Sequence, residues 1–269
     1  MAKQKSQREL KHREQKRIIE IKSIIQELKE HLADKDGLER GEPLQILEFG
    51  SGEGFQVPFL KELGNVTASD VYTNPIIKDM DVSFVECGIG NTPFADNTFD
   101  IIFSNHVLEH IPDLQAAFKE MKRIGKPGCV YAFSVATSIW LLLAVPVQYA
   151  GKFLRIFRKN NRNSQDSKIE DSHVLSEHSS QKKKSLWKKI WNYITPNGHG
   201  YNRSFLKCYK NFRINNWQRL FSNHSFEVVN TIPLLLYAPS EMPYIPTTKR
   251  FVKYGICSSV FFILSEKKE

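Results

Sequence analysis

Ile46-Leu47-Glu48-Phe49-Gly50-Ser51-Gly52-Glu53-Gly54 is the stretch whose reading decides the fold. An apolar run closes on an acidic residue, three glycines then alternate with other residues, and a helix-like pattern follows. This is the layout of a strand, a tight turn and a helix N-terminus. A glycine lets the backbone bend sharply or approach a ligand closely. The start of a helix adds free N–H groups and the positive end of a dipole. The spacing is G-x-G-x-G, not the G-x-G-x-x-G of dinucleotide sites. An acidic residue two places before the first glycine has the wrong charge for a pyrophosphate and the right charge for an ammonium group. The plain alternative is a tight strand-to-helix turn that binds nothing.

Working outward, Asn65-Val66-Thr67-Ala68-Ser69-Asp70-Val71 reads as a short strand ending in a carboxylate, some twenty residues after the glycine loop. A carboxylate placed there accepts both hydroxyls of a ribose, although a solvated turn aspartate looks the same in sequence. Farther on, Thr92-Pro93-Phe94-Ala95-Asp96-Asn97-Thr98-Phe99-Asp100 leads into the apolar run Ile101-Ile102-Phe103-Ser104 and then into Asn105-His106-Val107-Leu108-Glu109-His110-Ile111-Pro112-Asp113. Asp96-Asn97 makes a turn. Phe99 to Ser104 reads as a buried strand, with Ser104, Asn105 and His106 in the loop at its C-terminal end. Open α/β sheets place their ligands at such ends. Strands are predicted near 44–49, 65–70, 82–87, 99–104 and 129–135. Helices are predicted near 54–63 and 113–124, the latter ended by Gly125 and Pro127. Such alternation implies a parallel sheet with helices on both faces.

These segments resemble the class I S-adenosylmethionine (SAM) dependent methyltransferases. The glycine loop is similar to their motif I. The pattern P-F-x-D-x-[ST]-F-D, a strand, then V-L-E-H-I-x-D is similar to that of one large subgroup. The resemblance covers 44–136 and, more loosely, 198–265; it leaves out 1–35 and 138–195. It implies an α/β fold with a doubly wound, seven-stranded, mostly parallel sheet (Rossmann-like) and a helical insertion. One antiparallel strand is expected from 258–265, paired with a strand within 225–236. The implied cofactor is SAM. Glu48, Gly50, Ser51, Gly52 and Gly54 would hold its amino-acid end, and Asp70 and Val71 would stand at the ribose. Ser104 and Asn105 would complete the cofactor set from the loop after the fourth strand. The family usually has an aspartate for the adenine amino group about five residues before the Pro-Phe pair. Here Cys87 and Gly88 stand at that place and Glu86 comes early, so backbone around Gly88 and Ile89 is assigned the adenine.

Composition adds organisation. The chain has 269 residues and a net charge of +9, unevenly divided. Residues 33–150 carry 8 Lys and Arg against 16 Asp and Glu, whereas 151–191 carry 11 against 4 and 192–269 carry 10 against 4. An acidic SAM-binding half suits a sulfonium and ammonium cofactor. Basic flanks suggest an anionic partner or serve solubility alone. Two parts are drawn: a charged N-terminal helix within 1–35, and a methyltransferase domain over 36–269 with an insertion at 138–197. In the helix, Ile18, Ile21, Ile25, Leu28 and Leu32 form one stripe. Packing on the domain is its default role, with pairing to another chain or lying on a membrane as alternatives. Within the insertion, 139–157 is nearly all apolar, 159–184 reads as a disordered polar loop, and 186–194 begins with the basic-aromatic run Leu186-Trp187-Lys188-Lys189-Ile190-Trp191. Tryptophan beside lysine favours a lipid interface and also suits nucleic acid. A helix is predicted at 211–223. The four cysteines form no C-x-x-C pair and point to a reducing compartment. The N-terminus has no apolar h-region. A cytoplasmic protein, peripheral at the inner face of a membrane, is the resulting expectation.

The chemistry implied by the resemblance is in-line methyl transfer, in which the protein mainly aligns the acceptor. A hydroxyl acceptor needs a base for its proton. His106, in the loop after the fourth strand, and His199, between two glycines, are the candidates. His110 belongs to the signature and reads as a helix-start histidine. No carboxylate–histidine cluster has ligand spacing, so no metal is expected. The acceptor is expected to be a small-molecule, glycan or lipid-linked oxygen, met at an anionic membrane surface. RNA or protein methylation is the alternative, weakened by Ser104-Asn105-His106-Val107 standing where an N-P-P-[YF] motif would be. A non-catalytic scaffold of the same fold has no need of both the glycine loop and Asp70.

Overall fold

Period-two burial and period-3.6 burial share out this chain as the sequence pattern requires. In the computed structural model, residues 7–34, 42–146, 148–149, 198–201, 204–237, 254 and 256–267 are described. Seven strands form one sheet: β1 (Leu44–Phe49), β2 (Gly64–Asp70), β3 (Ser83–Glu86), β4 (Phe99–Asn105), β5 (Gly125–Ala136), β6 (Phe226–Pro233) and β7 (Ser259–Glu266). Their order is β3-β2-β1-β4-β5-β7-β6. The first five run parallel and β7 lies antiparallel to both neighbours. The antiparallel closing pair predicted from the C-terminal apolar runs is therefore present. The order reverses at β1, so the crevice beyond β1 and β4 is the topological switch point where such sheets bind ligands.

Alternation along the strands gives each face its own core. Leu47, Phe49, Ile102, Tyr131, Phe133, Phe262 and Leu264 point to one face. There they meet Ala117, Phe118, Met121 and Ile124 of the helix Leu114–Ile124 and Trp217 and Phe221 of the helix Ile214–Asn223. Ile46, Ile101, Phe103, Val130, Ala132, Phe261 and Ile263 point to the other. That second face is covered by α1 (Gln7–Asp34), whose Ile21, Ile24, Ile25, Leu28 and Leu32 are buried among them. The N-terminal helix thus packs on the domain and shares its core. Gln26, Lys29 and Glu30 are exposed on its outer side, as an amphipathic surface helix requires.

Two expectations need correction. The helix predicted at 54–63 shrinks to α2 (Val57–Leu60), which carries a proline in its first turn. The flanking turns close mostly through i→i+3 bonds, such as Phe59 N–H to Gln56 O and Leu63 N–H to Leu60 O. So short a helix has little dipole to offer a ligand. The helix predicted at 211–223 is present but starts at Ile214, as Ile214–Asn223, and a separate helix, Phe205–Asn211, precedes it across Phe212-Arg213. Residues 138–146 are helical, with Leu141 and Ala144 buried. The disordered loop and basic-aromatic helix expected at 159–184 and 186–194 lie outside the described residues. Among the described residues no helix is long and apolar enough to cross a membrane.

Candidate active site

The glycine loop leaves β1 through three left-handed residues, Gly50, Gly52 and Gly54, at φ of 70°, 56° and 73°. A side chain would be strained at each of them. Gly50 is also sterically closed: an added Cβ would lie 2.4 Å from Val107 Cγ2. This close passage brings the loops after β1 and β4 together. The loop is then tied to β2. Ser51 N–H donates to Ser69 O at 3.0 Å and Gly52 N–H donates to Asp70 Oδ2 at 2.9 Å. Val71 N–H donates to Asp70 Oδ1 at 2.7 Å. Asp70 therefore fastens the glycine loop to β2, and each of its oxygens accepts one of these bonds and has capacity for another.

Under the loop, Glu48 is buried and its Oε2 has no hydrogen-bond partner. Burial, aided by the charge of Asp70 and opposed by Arg17, pushes its carboxyl up to about 8. Ser51 Oγ and Ser104 Oγ are likewise buried without partners. A buried polar atom left unpaired is costly unless something fills the need. Here three such atoms belong to the C-terminal ends of β1 and β4 and to the glycine loop, at the switch point. Val71 is exposed, and a Cβ on Gly88 would stand 3.7 Å from Val71 Cγ1, so these two residues lie side by side. Ile89 turns into the core instead. Asn105 accepts a hydrogen bond from Ser134 Oγ, which holds the end of β4 to β5.

The two candidate bases have opposite environments. His106 is itself left-handed, at φ 57°. Its Nδ1 lies 3.4 Å from Glu109 Oε1 and its Nε2 lies 3.7 Å from Glu20 Oε1. Tyr237 Oη is 3.4 Å from the same Nε2. Burial by itself lowers the imidazole, but the contacts and charges of Glu109 and Glu20 outweigh it and push it up to about 10. Burial raises Glu109, and His106 more than reverses this, so Glu109 is held below the usual carboxylate range. His106 is accordingly a held cation at neutral pH. His199 is pushed down, chiefly by burial and then by the charge of His110, and stays neutral.

The sequence alone missed the part of α1 in this region. Glu20 approaches His106 and accepts a hydrogen bond from Ser259 Oγ. The Arg17 guanidinium lies 4.0 Å over the Phe55 ring, and the Lys16 ammonium stands 5.5 Å over Tyr237. The helical stripe located α1 on the sheet; nothing in sequence showed that its other flank reaches the crevice. The sequence also showed no metal-ligand spacing, yet the fold brings one carboxylate oxygen of Glu109 and one ring nitrogen each of His110 and His199 within 4.8 Å of one another.

Comparison with known proteins bears on the domain and the fold. Residues 47–133 match the family described as a methyltransferase domain. A malonyl-[acyl-carrier protein] O-methyltransferase of Pectobacterium atrosepticum is 33% identical over 96 residues, 34% of this chain and 38% of that protein. A ubiquinone/menaquinone biosynthesis C-methyltransferase of Haemophilus ducreyi is 29% identical over 108 residues, 35% of this chain and 41% of that protein. These matches span about two fifths of those relatives' lengths. A SAM-dependent methyltransferase structure from Thermotoga maritima aligns over 96% of this chain and 92% of its own, with a TM-score of 0.52 and 17% identity. The fold is thus shared along nearly the whole length.

Proposed function

We propose that this chain, which carries a class I SAM-dependent methyltransferase domain, transfers the methyl group of SAM to an oxygen of a small-molecule, glycan or lipid-linked acceptor. The observation that carries this reading is the buried Glu48 carboxylate, with its Oε2 lacking a hydrogen-bond partner, under a left-handed glycine loop that Asp70 ties down. An ammonium group answers the charge of Glu48, and Ser51 Oγ offers it a second polar contact. The open lone pairs of Asp70 suit the paired hydroxyls of a ribose. Val71, exposed beside Gly88, offers an apolar side chain of the kind an aromatic base packs on. When bound, SAM supplies a methyl group activated by its sulfonium. The protein's part is alignment and exclusion of water.

Support for an oxygen acceptor comes from the histidines. A neutral imidazole at His199 presents a lone pair near the loop after β4, where a hydroxyl needs relief of its proton. His106, held as a cation between Glu20 and Glu109, instead fixes the loop and adds positive charge. The names of the relatives include both O- and C-methyltransferases, so the acceptor atom rests on these side chains and not on likeness.

Calorimetry with SAM or S-adenosylhomocysteine tests the cofactor. Micromolar binding is expected, and Asp70→Ala should weaken it by roughly 1–3 kcal/mol, the value of a lost buried, charged hydrogen-bonding group. A folded wild-type chain that binds neither ligand would sink the reading. Incubation with methyl-labelled SAM and fractionated cell extract then finds the acceptor class. Label in a lipid, glycan or small-molecule fraction is expected; label in RNA or protein would turn the assignment to the alternative.

A further inference from the structure

Glu109, His110 and His199 are gathered more tightly than cofactor binding requires. Glu109 and His110 lie in the single 3₁₀ turn Leu108–His110 that follows β4. His199 arrives from the far side of the insertion, and several contacts fix it there. Tyr201 N–H donates to Glu109 O at 2.9 Å. Gly200 is left-handed at φ 72°, and a Cβ on it would lie 2.1 Å from that same Glu109 O, so only glycine permits the approach. Cys208 Sγ donates to His199 O at 3.2 Å. The His199 ring packs against Trp140 at 4.5 Å and edge-on to His110 at 4.9 Å. The loop is thus built to hold one imidazole beside another and beside a carboxylate.

That carboxylate has an unmet need. The Glu109 side chain is 1% exposed. Neither oxygen takes part in a hydrogen bond, although Oε1 has the charge of His106 nearby. The three ligand atoms lie within 4.8 Å of one another. Around a tetrahedral ion with bonds of about 2.0–2.1 Å, ligand atoms stand roughly 3.3 Å apart. Small side-chain rotations close that difference. Two imidazoles and one carboxylate suit zinc or a neighbouring first-row ion, whereas magnesium prefers oxygen alone. A cavity of about 490 Å³ opens beside the cluster, and Glu109, His199, Tyr201 and Trp217 are among its lining residues. Trp217 Nε1 is buried there with no acceptor.

We propose that Glu109, His110 and His199 bind one divalent transition-metal ion, zinc by ligand chemistry, with its remaining position open to this cavity and to an acceptor oxygen. The ion draws electron density from a coordinated hydroxyl, whose proton then leaves to solvent; with its lone pair on the ion, His199 acts here as a ligand in place of a base. This role rests on the methyl-transfer reading; the metal site itself does not. The full chain, stripped with EDTA and dialysed, is titrated with zinc chloride by calorimetry and with cobalt(II) by visible absorption. One zinc per chain is expected, and cobalt should give the spectrum of nitrogen and oxygen ligands without thiolate. His110→Ala and His199→Ala should each weaken zinc binding at least tenfold while circular dichroism and S-adenosylhomocysteine binding stay as in the wild type. No zinc uptake by the folded chain, or uptake that neither variant weakens, overturns the site. Zinc bound with loss in both variants, but no S-adenosylhomocysteine bound by the wild type, leaves the metal site standing and removes the methyltransferase reading.

Discussion

Gly50 and Gly52 share a left-handed backbone but not a neighbourhood. A side chain at Gly52 meets nothing within 4 Å, while one at Gly50 meets Val107. Gly52→Ala should therefore cost about 1–2 kcal/mol, the strain of a left-handed residue alone. Gly50→Ala should cost more, and Val107→Ala should recover part of the excess; urea unfolding of the single and double variants measures this. Glu48 gives the second residue-scale prediction. Its carboxyl is raised from 4.5 to about 8 in the fold, so the folded chain favours the protonated form. The stability it contributes is complete below pH 4.5 and is lost as pH rises to about 8, by at most about 1.4 kcal/mol per unit. Glu48→Gln should flatten that slope between the two values. Binding of a cationic ligand runs the other way. SAM needs the carboxylate ionised, so its affinity should rise from pH 6 to pH 8, and calorimetry in buffers of different ionisation enthalpy should show a proton released on binding.

Helix α1 shows how much an element reveals in sequence and what it conceals. Its isoleucine and leucine stripe was legible because burial repeats every three or four residues, and the structure adds Ile24 to that stripe. Ile24 is fully buried against the sheet, so Ile24→Ala should cost about 2–5 kcal/mol in urea unfolding. Strand and loop motifs near 44–113 were equally legible, since local spacing alone defines them. The helix at 54–63 was overcalled because the apolar spacing continues while a proline and i→i+3 bonds interrupt the helix itself. The contacts of Glu20 with His106, and of His199 with His110 and Glu109, were not legible. They join residues far apart in sequence, and such pairs leave no periodic trace.

At the scale of the molecule, charge remains the open dimension. From the acidic sheet half and the basic flanks we propose that the chain works at the inner face of an anionic membrane, each lysine or arginine near the surface adding roughly 1 kcal/mol. The chain should sediment with anionic vesicles and leave them at high salt. Replacing Lys182, Lys183, Lys184, Lys188 and Lys189 by glutamine should weaken this markedly. Salt-sensitive binding to RNA with indifference to vesicles would keep the electrostatics and change the partner. The bond between Ser259 and Glu20 has a different consequence, one of timing. Glu20 leaves the ribosome 239 residues ahead of Ser259, and His106 depends on the Glu20 carboxylate that Ser259 holds. The crevice is therefore finished only when β7 enters the sheet. A nascent chain stalled before residue 259 should fold much of its parallel sheet yet leave Glu20 without that anchor, so synthesis itself sets the moment at which the site is complete.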